Sequence, residues 1–261
     1  MRQIYPGANG AGNDAGSVDL AAAYAYPATK ENADPGQAKP RSPWIRANMV
    51  ASVDGAATVK GLSGGLSTAE DRTLFHLLRG LADVVLVGAG TVRAEGYGPA
   101  RPRAGWAGLR AGRTPSPPIA ILTRMLDLDL STPMFTEAPR QARTIVLTTE
   151  AAPATRRAEA ARHADVVIAG TSRVELPAAI AALAGRGWHK ILVEGGPHLL
   201  GEFAVADLLD ELCVTVSPIL VGGNACRIMA DAALSSPSRL RLAHVLEAEG
   251  SLFCRYVRDL Q

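Results

Sequence analysis

The sequence predicts an α/β fold: a mixed, mostly parallel central sheet flanked by helices, with an antiparallel C-terminal hairpin. Three observations carry this. Short continuous apolar runs, such as Asp83-Val84-Val85-Leu86-Val87, read as strands covered on both faces. Stretches of helical period at 176–183 and 199–209 separate several such runs, and alternating strands and helices build parallel pairs. Near the end, residues 242–246 and 252–257 flank Gly250 as the strands of a hairpin flank their turn.

In chain order, residues 1–43 are rich in Ala, Gly, Pro and Asn and read as an N-terminal arm with too little apolar surface to offset its ordering entropy. Within it, 18–24 form a short helix docked by Leu20 and Tyr24 and ended by Pro27, the rest being extended. Residues 44–261 form the compact domain. It opens with a strand at 44–50. Ser67 then starts a helix, with Glu70 at capping-box spacing and Leu74, Leu77, Leu78 and Leu81 on one face. The run 83–87 ends in Gly88-Ala89-Gly90. A Pro-, Gly- and Arg-rich loop covers 98–118, and loops that long are often functional. Further strands are expected at 119–122, 144–147, 165–168, 190–193 and 212–216. There is no internal repeat.

Composition narrows the class. Lys+Arg is 27 and Asp+Glu 25, a net charge of +2, which argues against a nucleic-acid surface. Only four basic residues are lysines, a bias that reads mostly as coding background. The three cysteines have no metal or disulfide spacing, as expected of a reducing compartment. No run is apolar and long enough to span a membrane, and the first residues lack a signal peptide's apolar stretch, so a cytoplasmic protein is expected. The five histidines are scattered without metal spacing, and there is no Walker lysine motif.

Four strand ends carry the candidate chemistry. Leu192-Val193-Glu194-Gly195-Gly196-Pro197 runs from a strand through glycines into a helix N-terminus, a ready anion site, with Glu194 facing the same crevice. The bland alternative is a tight turn with Glu194 at the surface. Val87-Gly88-Ala89-Gly90-Thr91-Val92-Arg93 repeats this grammar, although Arg93 stands where a dinucleotide fingerprint has its third Gly. Together the two turns suit a nucleotide with a pyrophosphate at the strand ends. Ser52-Val53-Asp54-Gly55 and Pro218 to Gly223 read, on local grounds, as turns. These residues suit a chemistry in which a cofactor performs the hard step.

Taken in order, Asn48-x3-Ser52-Val53-Asp54-Gly55, Gly88-x-Gly90-Thr91-Val92-Arg93-x-Glu95-Gly96-Tyr97, Glu194-Gly195-Gly196-Pro197-x-Leu199 and Pro218-x3-Gly222-Gly223 resemble the pyrimidine reductase family of riboflavin biosynthesis. The resemblance covers roughly 44–257 and is strongest to the stand-alone actinobacterial branch. No zinc-deaminase signature accompanies it.

The resemblance implies a dihydrofolate-reductase-like fold, NADPH as cofactor, a small-molecule substrate and a homodimer. The implied reaction reduces the ribosyl group of 5-amino-6-(5-phosphoribosylamino)uracil to ribityl. By the same resemblance, Val50, Gly88, Gly90, Thr91, Glu95 and the turn and helix Gly195, Gly196, Pro197, His198, Leu199, Leu200 and Gly201 hold the cofactor. Thr123 and Arg124 fall at its 2′-phosphate, where an Arg suits NADPH. Arg79 matches a phosphate-binding Arg, against the local alternative of a cation at a helix C-terminus. Ser63 and one of Arg101 or Arg103 are further substrate matches. Glu194 and Asn48 are the catalytic candidates. Two departures bear on the substrate: many members carry Lys at Asn48 and an aromatic residue near Gly65. A dihydrofolate or other pterin-like reductase, and a non-catalytic nucleotide-binding paralogue, are the alternatives.

Overall fold

The computed structural model describes residues 1–6, 18–27 and 43–259, so the expected extended course of most of the arm lies outside the described residues. The strands are β1 (Arg2–Tyr5), β2 (Trp44–Ser52), β3 (Val84–Gly88), β4 (Ile119–Leu122), β5 (Ile145–Thr148), β6 (Asp165–Ile168), β7 (Lys190–Val193), β8 (Glu211–Ser217), β9 (Leu240–Ala248) and β10 (Ser251–Arg258). They form one sheet in the order β1-β9-β10-β8-β2-β7-β3-β4-β5-β6. From β8 to β6 every neighbour is parallel. β10, β9 and β1 extend the other side antiparallel, so the sheet is mixed as expected.

The apolar runs are continuous because the sheet is covered twice. Alternate residues of β3 enter opposite layers, Val85 and Val87 on one face, Val84 and Leu86 on the other, all fully buried. The helices are α1 (Leu20–Ala23), α2 (Ala69–Leu81), α3 (Ala89–Glu95), α4 (Trp106–Leu109), α5 (Pro133–Thr136), α6 (Ala154–His163), α7 (Leu176–Ala184) and α8 (Pro197–Val205). The first layer takes Leu74 and Leu78 of α2. The second takes Ile180 and Leu183 of α7 (Leu176–Ala184) and Phe203 of α8 (Pro197–Val205).

Several boundaries differ from expectation. The N-cap of α2 is Thr68, whose Oγ1 accepts from the Asp71 N–H at 3.2 Å, while the Ser67 hydroxyl donates to the Asp71 carboxylate. The expected Ser67–Glu70 capping box is therefore corrected by one residue. α8 starts at Pro197, in the first helical position that suits Pro, and ends at Val205 rather than 209. The helix Ala154–His163 went unpredicted, since its polar face outweighs a single buried Ala160.

The described N-terminal pieces join the domain. β1 pairs with β9, placing Gln3 opposite Leu246. Residues Leu20–Ala23 form the short expected helix, capped by Asp19, which accepts from the Ala21 and Ala22 N–H groups. Four residues cannot hold a helix alone. Tyr24 anchors it, fully buried, with its ring edge-on to His244 at 4.8 Å. Beneath lies a buried charge cluster. Glu211 pairs with Arg46 and Arg255, each at 2.7 Å, and accepts from Trp44 Nε1 at 2.9 Å. Tyr26 covers Arg46, whose guanidinium carbon lies 3.9 Å from its ring centre.

His244 gives this region a pH dependence. Burial, then the nearby Arg255, holds its imidazole down at about 4. The unfolded chain takes up the proton near pH 6.5, the folded one only near 4, so stability falls as pH drops through that window. Urea unfolding at pH 7 and pH 4 should show a loss on the order of 2 kcal/mol from this site, absent in His244→Phe. Equal acid losses in both proteins would remove His244 from the account.

Candidate active site

β2, β7 and β3 are adjacent and parallel, so their carboxyl ends open on one edge of the sheet, where open α/β sheets take ligands. Two cavities lie there. The first, about 550 Å³, is lined by Asn48 and Val50 of β2, Ser63, Gly88, Gly90, Thr91, Glu95, Glu194 and 196–199. The second, about 590 Å³, takes Thr123, Arg124, Arg173, Gly201 and Asp231. Gly88, His198 and Leu199 line both, so the first turn of α8 is a saddle between them.

The glycine turns are fitted to one another. Gly88 N–H donates to the Gly195 carbonyl at 2.9 Å. Gly195 has φ +83°, a left-handed backbone that favours glycine. A Cβ on Gly196 would sit 2.6 Å from Thr91 Oγ1. Gly196 caps α8 without a side-chain hydrogen bond and Pro197 follows, which leaves the helix's first turn uncapped by any side chain. Gly201 is required for another reason: a Cβ there would lie 2.7 Å from the Ala230 carbonyl oxygen and from Ala232.

Glu194 is the most constrained group. Its side chain is 1% exposed. Arg79, on the last turn of α2, donates Nε–H to Oε1 and Nη2–H to Oε2, both at 2.7 Å. Tyr97 donates its hydroxyl to Oε2 at 2.9 Å. The Arg79 guanidinium lies over the Phe75 ring at 4.3 Å. Burial works against its charge, but Glu194 outweighs burial and keeps it cationic. Burial, then Glu194, pushes the Tyr97 phenol well above its ordinary value, so it stays protonated. The carboxylate thus spends three of its roughly four acceptor positions within the protein. What remains can accept from a ligand hydroxyl.

Other predicted residues are placed as follows. Asn48 Oδ1 is buried without a hydrogen-bond partner, an acceptor at the cavity. Glu95 accepts from the Ser63 N–H at 2.7 Å and so ties a short 3₁₀ turn, Ser63–Gly65, to the site. Gly61 to Gly65 also has nucleophile-elbow spacing, but Ser63 opens a 3₁₀ turn rather than a strand-to-helix turn. A Cβ on Gly65 would meet Val59 Cβ at 2.9 Å, so Val59 occupies the space beside it. His198 Nδ1 lies 3.1 Å from Asp231. Thr123 Oγ1 accepts from the Leu126 N–H, and Arg124 borders the second cavity. Arg79, Arg101, Gly195 and Leu200 border neither cavity: Arg79 stands behind Glu194, Arg101 pairs with Glu137, and Leu200 is core. The turns at Asp54 and Gly222 brace each other, since Asp54 accepts from the Val221 and Gly222 N–H groups and from Ser52. Phe75 and Arg72, both at the first cavity, carry no local signal of their own, and Tyr97, also there, ends the Gly88 motif without a role assigned to it.

Comparison with known proteins fits this geometry. Residues 43–252 match the RibD C-terminal domain model. The chain belongs to the RibD C-terminal domain family. Over 189 residues it is 31% identical to the 2,5-diamino-6-ribosylamino-4(3H)-pyrimidinone 5′-phosphate reductase of Methanothermobacter thermautotrophicus, covering 72% of this chain and 84% of that one. The reductase of the same name from Archaeoglobus fulgidus is 29% identical over 195 residues, covering 72% and 86%. Among solved structures, a pyrimidine reductase-like protein from Corynebacterium diphtheriae superposes with a TM-score of 0.74 at 29% identity, over 82% of this chain and 91% of that one. Members of the RibD family matched here are thus named as reductases acting on a ribosylaminopyrimidine.

Tyr97→Phe removes one hydrogen bond to the carboxylate, a contact worth about 1.5–3 kcal/mol where an ion accepts it. If Glu194 must be held in place for turnover, kcat should fall at least about tenfold with cofactor affinity unchanged. Steady-state kinetics and cofactor titration check this, and an unaltered kcat would show that Arg79 alone suffices.

Proposed function

We propose that this protein uses NADPH to reduce the ribosyl group of a ribosylaminopyrimidine 5′-phosphate to a ribityl group, in riboflavin biosynthesis. The single observation that supports it best is the pair of cavities joined at Gly88, His198 and Leu199, with Glu194 fixed in the first. A dinucleotide laid across that saddle would meet the uncapped turn of α8 with its pyrophosphate. Arg124, in the second cavity, would face a 2′-phosphate. The residues present therefore fit the cofactor.

Bound there, a reduced nicotinamide supplies a hydride for C1′ of the sugar. The chain's own residues bind and orient the sugar. Glu194, with its remaining acceptor position, orients a sugar hydroxyl. Held by Arg79 and Tyr97, it acts as an acceptor and not as a proton donor. The unpartnered Asn48 Oδ1 offers a second acceptor. Met49, Phe75 and Leu199 give the cavity an apolar wall that excludes water. A cytoplasmic homodimer belongs to the same proposal, and sedimentation at about twice 27.2 kDa would bear it out.

NADPH should raise the melting temperature more than NADH, and Arg124→Ala should erase the difference. Side-by-side assays then take 5-amino-6-(5-phosphoribosylamino)uracil, its 2-amino pyrimidinone counterpart and dihydrofolate. Oxidation of NADPH with either pyrimidine supports the proposal. Turnover of dihydrofolate alone would replace it with a pterin-type reductase, and binding without any turnover with a nucleotide-binding paralogue.

A further inference from the structure

The short N-terminal helix and its tyrosines lie outside the matched 43–252, and they close over a cluster whose charges do not balance. Strand register sets Arg46 beside Glu211, and Arg255 between Cys213 and His244. Arg46 faces Glu211 with Nε and Nη2, at 2.7 and 3.1 Å. Arg255 does so with Nε and Nη2, at 2.7 and 3.2 Å. Glu211 also accepts from Trp44, so its acceptor positions are full. Among the described residues no second carboxylate meets either guanidinium: Asp210 accepts from the Ile45 N–H, and Asp83 pairs with Arg113. Burial keeps the Tyr24 and Tyr26 phenols and the Cys213 thiol protonated, so they add no negative charge. Two guanidiniums thus share one carboxylate in the interior, an excess of positive charge that is costly without a counter-charge.

The same cluster holds donors without acceptors. Arg46 Nη1, the Tyr24 and Tyr26 hydroxyls and His244 Nε2 are buried and unpartnered. Contacts join them: Tyr26 lies over the Arg46 guanidinium, and Tyr24 meets the ring of His244. Arg255, opposite His244 in the sheet, donates to the Ala23 carbonyl at 2.8 Å. Arg46 Nη1 can only donate, the hydroxyls can donate, and the neutral His244 can donate from one ring nitrogen. Water would satisfy these donors but leave the charge. We propose that a small monovalent anion of halide size binds against Arg46 Nη1 beneath Tyr24 and Tyr26, and that it fastens the arm to the domain. Charge-assisted bonds of this kind are the strong ones. None of these four residues lines either cavity, so the site stands apart from the function proposed above.

The test follows thermal unfolding of the full chain while sodium gluconate, too large for a buried site, is replaced by sodium chloride at constant ionic strength. The melting temperature should rise by at least about 3 °C and then saturate. Bromide should do the same, and crystals grown in bromide should show its anomalous signal beside Arg46 Nη1. Arg255→Met leaves Arg46 and Glu211 balanced and should abolish the rise. Because it also removes the bond to Ala23, Tyr24→Phe is the second variant. It keeps the ring, deletes one donor and should raise the half-saturating chloride concentration at least about tenfold. Arg140→Ala, exposed on the turn Arg140–Ala142, should respond as the unmodified chain does. Chymotrypsin should cut after Tyr24 and Tyr26 more slowly in chloride than in gluconate. No saturable rise in the unmodified chain, or a rise that both variants keep unchanged, overturns the site. Equal cleavage in the two salts overturns its link to the arm.

Discussion

A carboxylate at the end of a buried strand must be neutralised where it stands, and the site depends on how this chain does that for Glu194. An isolated buried charge costs several kcal/mol, and a pair offsets that only when its geometry is good and its other acceptor positions are filled. Arg79 meets it with two parallel hydrogen bonds and Tyr97 with a third. This fixes α2 relative to β7, and so the distance across the cavity between them.

The Arg-rich stretch 98–118, expected as a loop, carries a helical turn at Trp106–Leu109 and serves the same constraint. Arg110 donates to the Gly80 and Ala82 carbonyls at the end of α2, at 3.2 and 2.6 Å. Arg113 bonds the Leu81 carbonyl at 2.9 Å and pairs with Asp83 at 3.0 Å. Trp106 packs so close to Gly80 that a Cβ there would lie 2.8 Å from its Nε1. These contacts satisfy carbonyls that a helix end leaves open, and they hold in place the turn that carries Arg79. Much of the arginine in this stretch is therefore structural.

The central strands were legible because a doubly covered strand must be apolar along its covered length, as β3 and β4 are throughout and β7 is from Ile191 to Val193. β1 was not, since an exposed edge strand of four residues carries no pattern. The two glycine turns could be read because a close backbone approach excludes side chains, whatever the rest of the fold does. Tyr97 could not be assigned a role, because its partner Glu194 is 97 residues away and no local spacing connects them. Arg79 and Arg72 look alike along the helix. Only the position of Glu194 separates the one that is neutralised from the one left at the cavity.

The central claim is that Arg79 and Glu194 are coupled, and a double-mutant cycle of urea unfolding tests it most directly. The singles Arg79→Met and Glu194→Gln are compared with the double variant. Each single leaves a buried group without its partner, and Arg79→Met, which strands the carboxylate, should lose about 3–5 kcal/mol. The double variant should be more stable than the sum of the two losses predicts, by at least about 2 kcal/mol. Losses that add to within about 0.5 kcal/mol would mean the two side chains are neighbours without being the constraint on which the site is built.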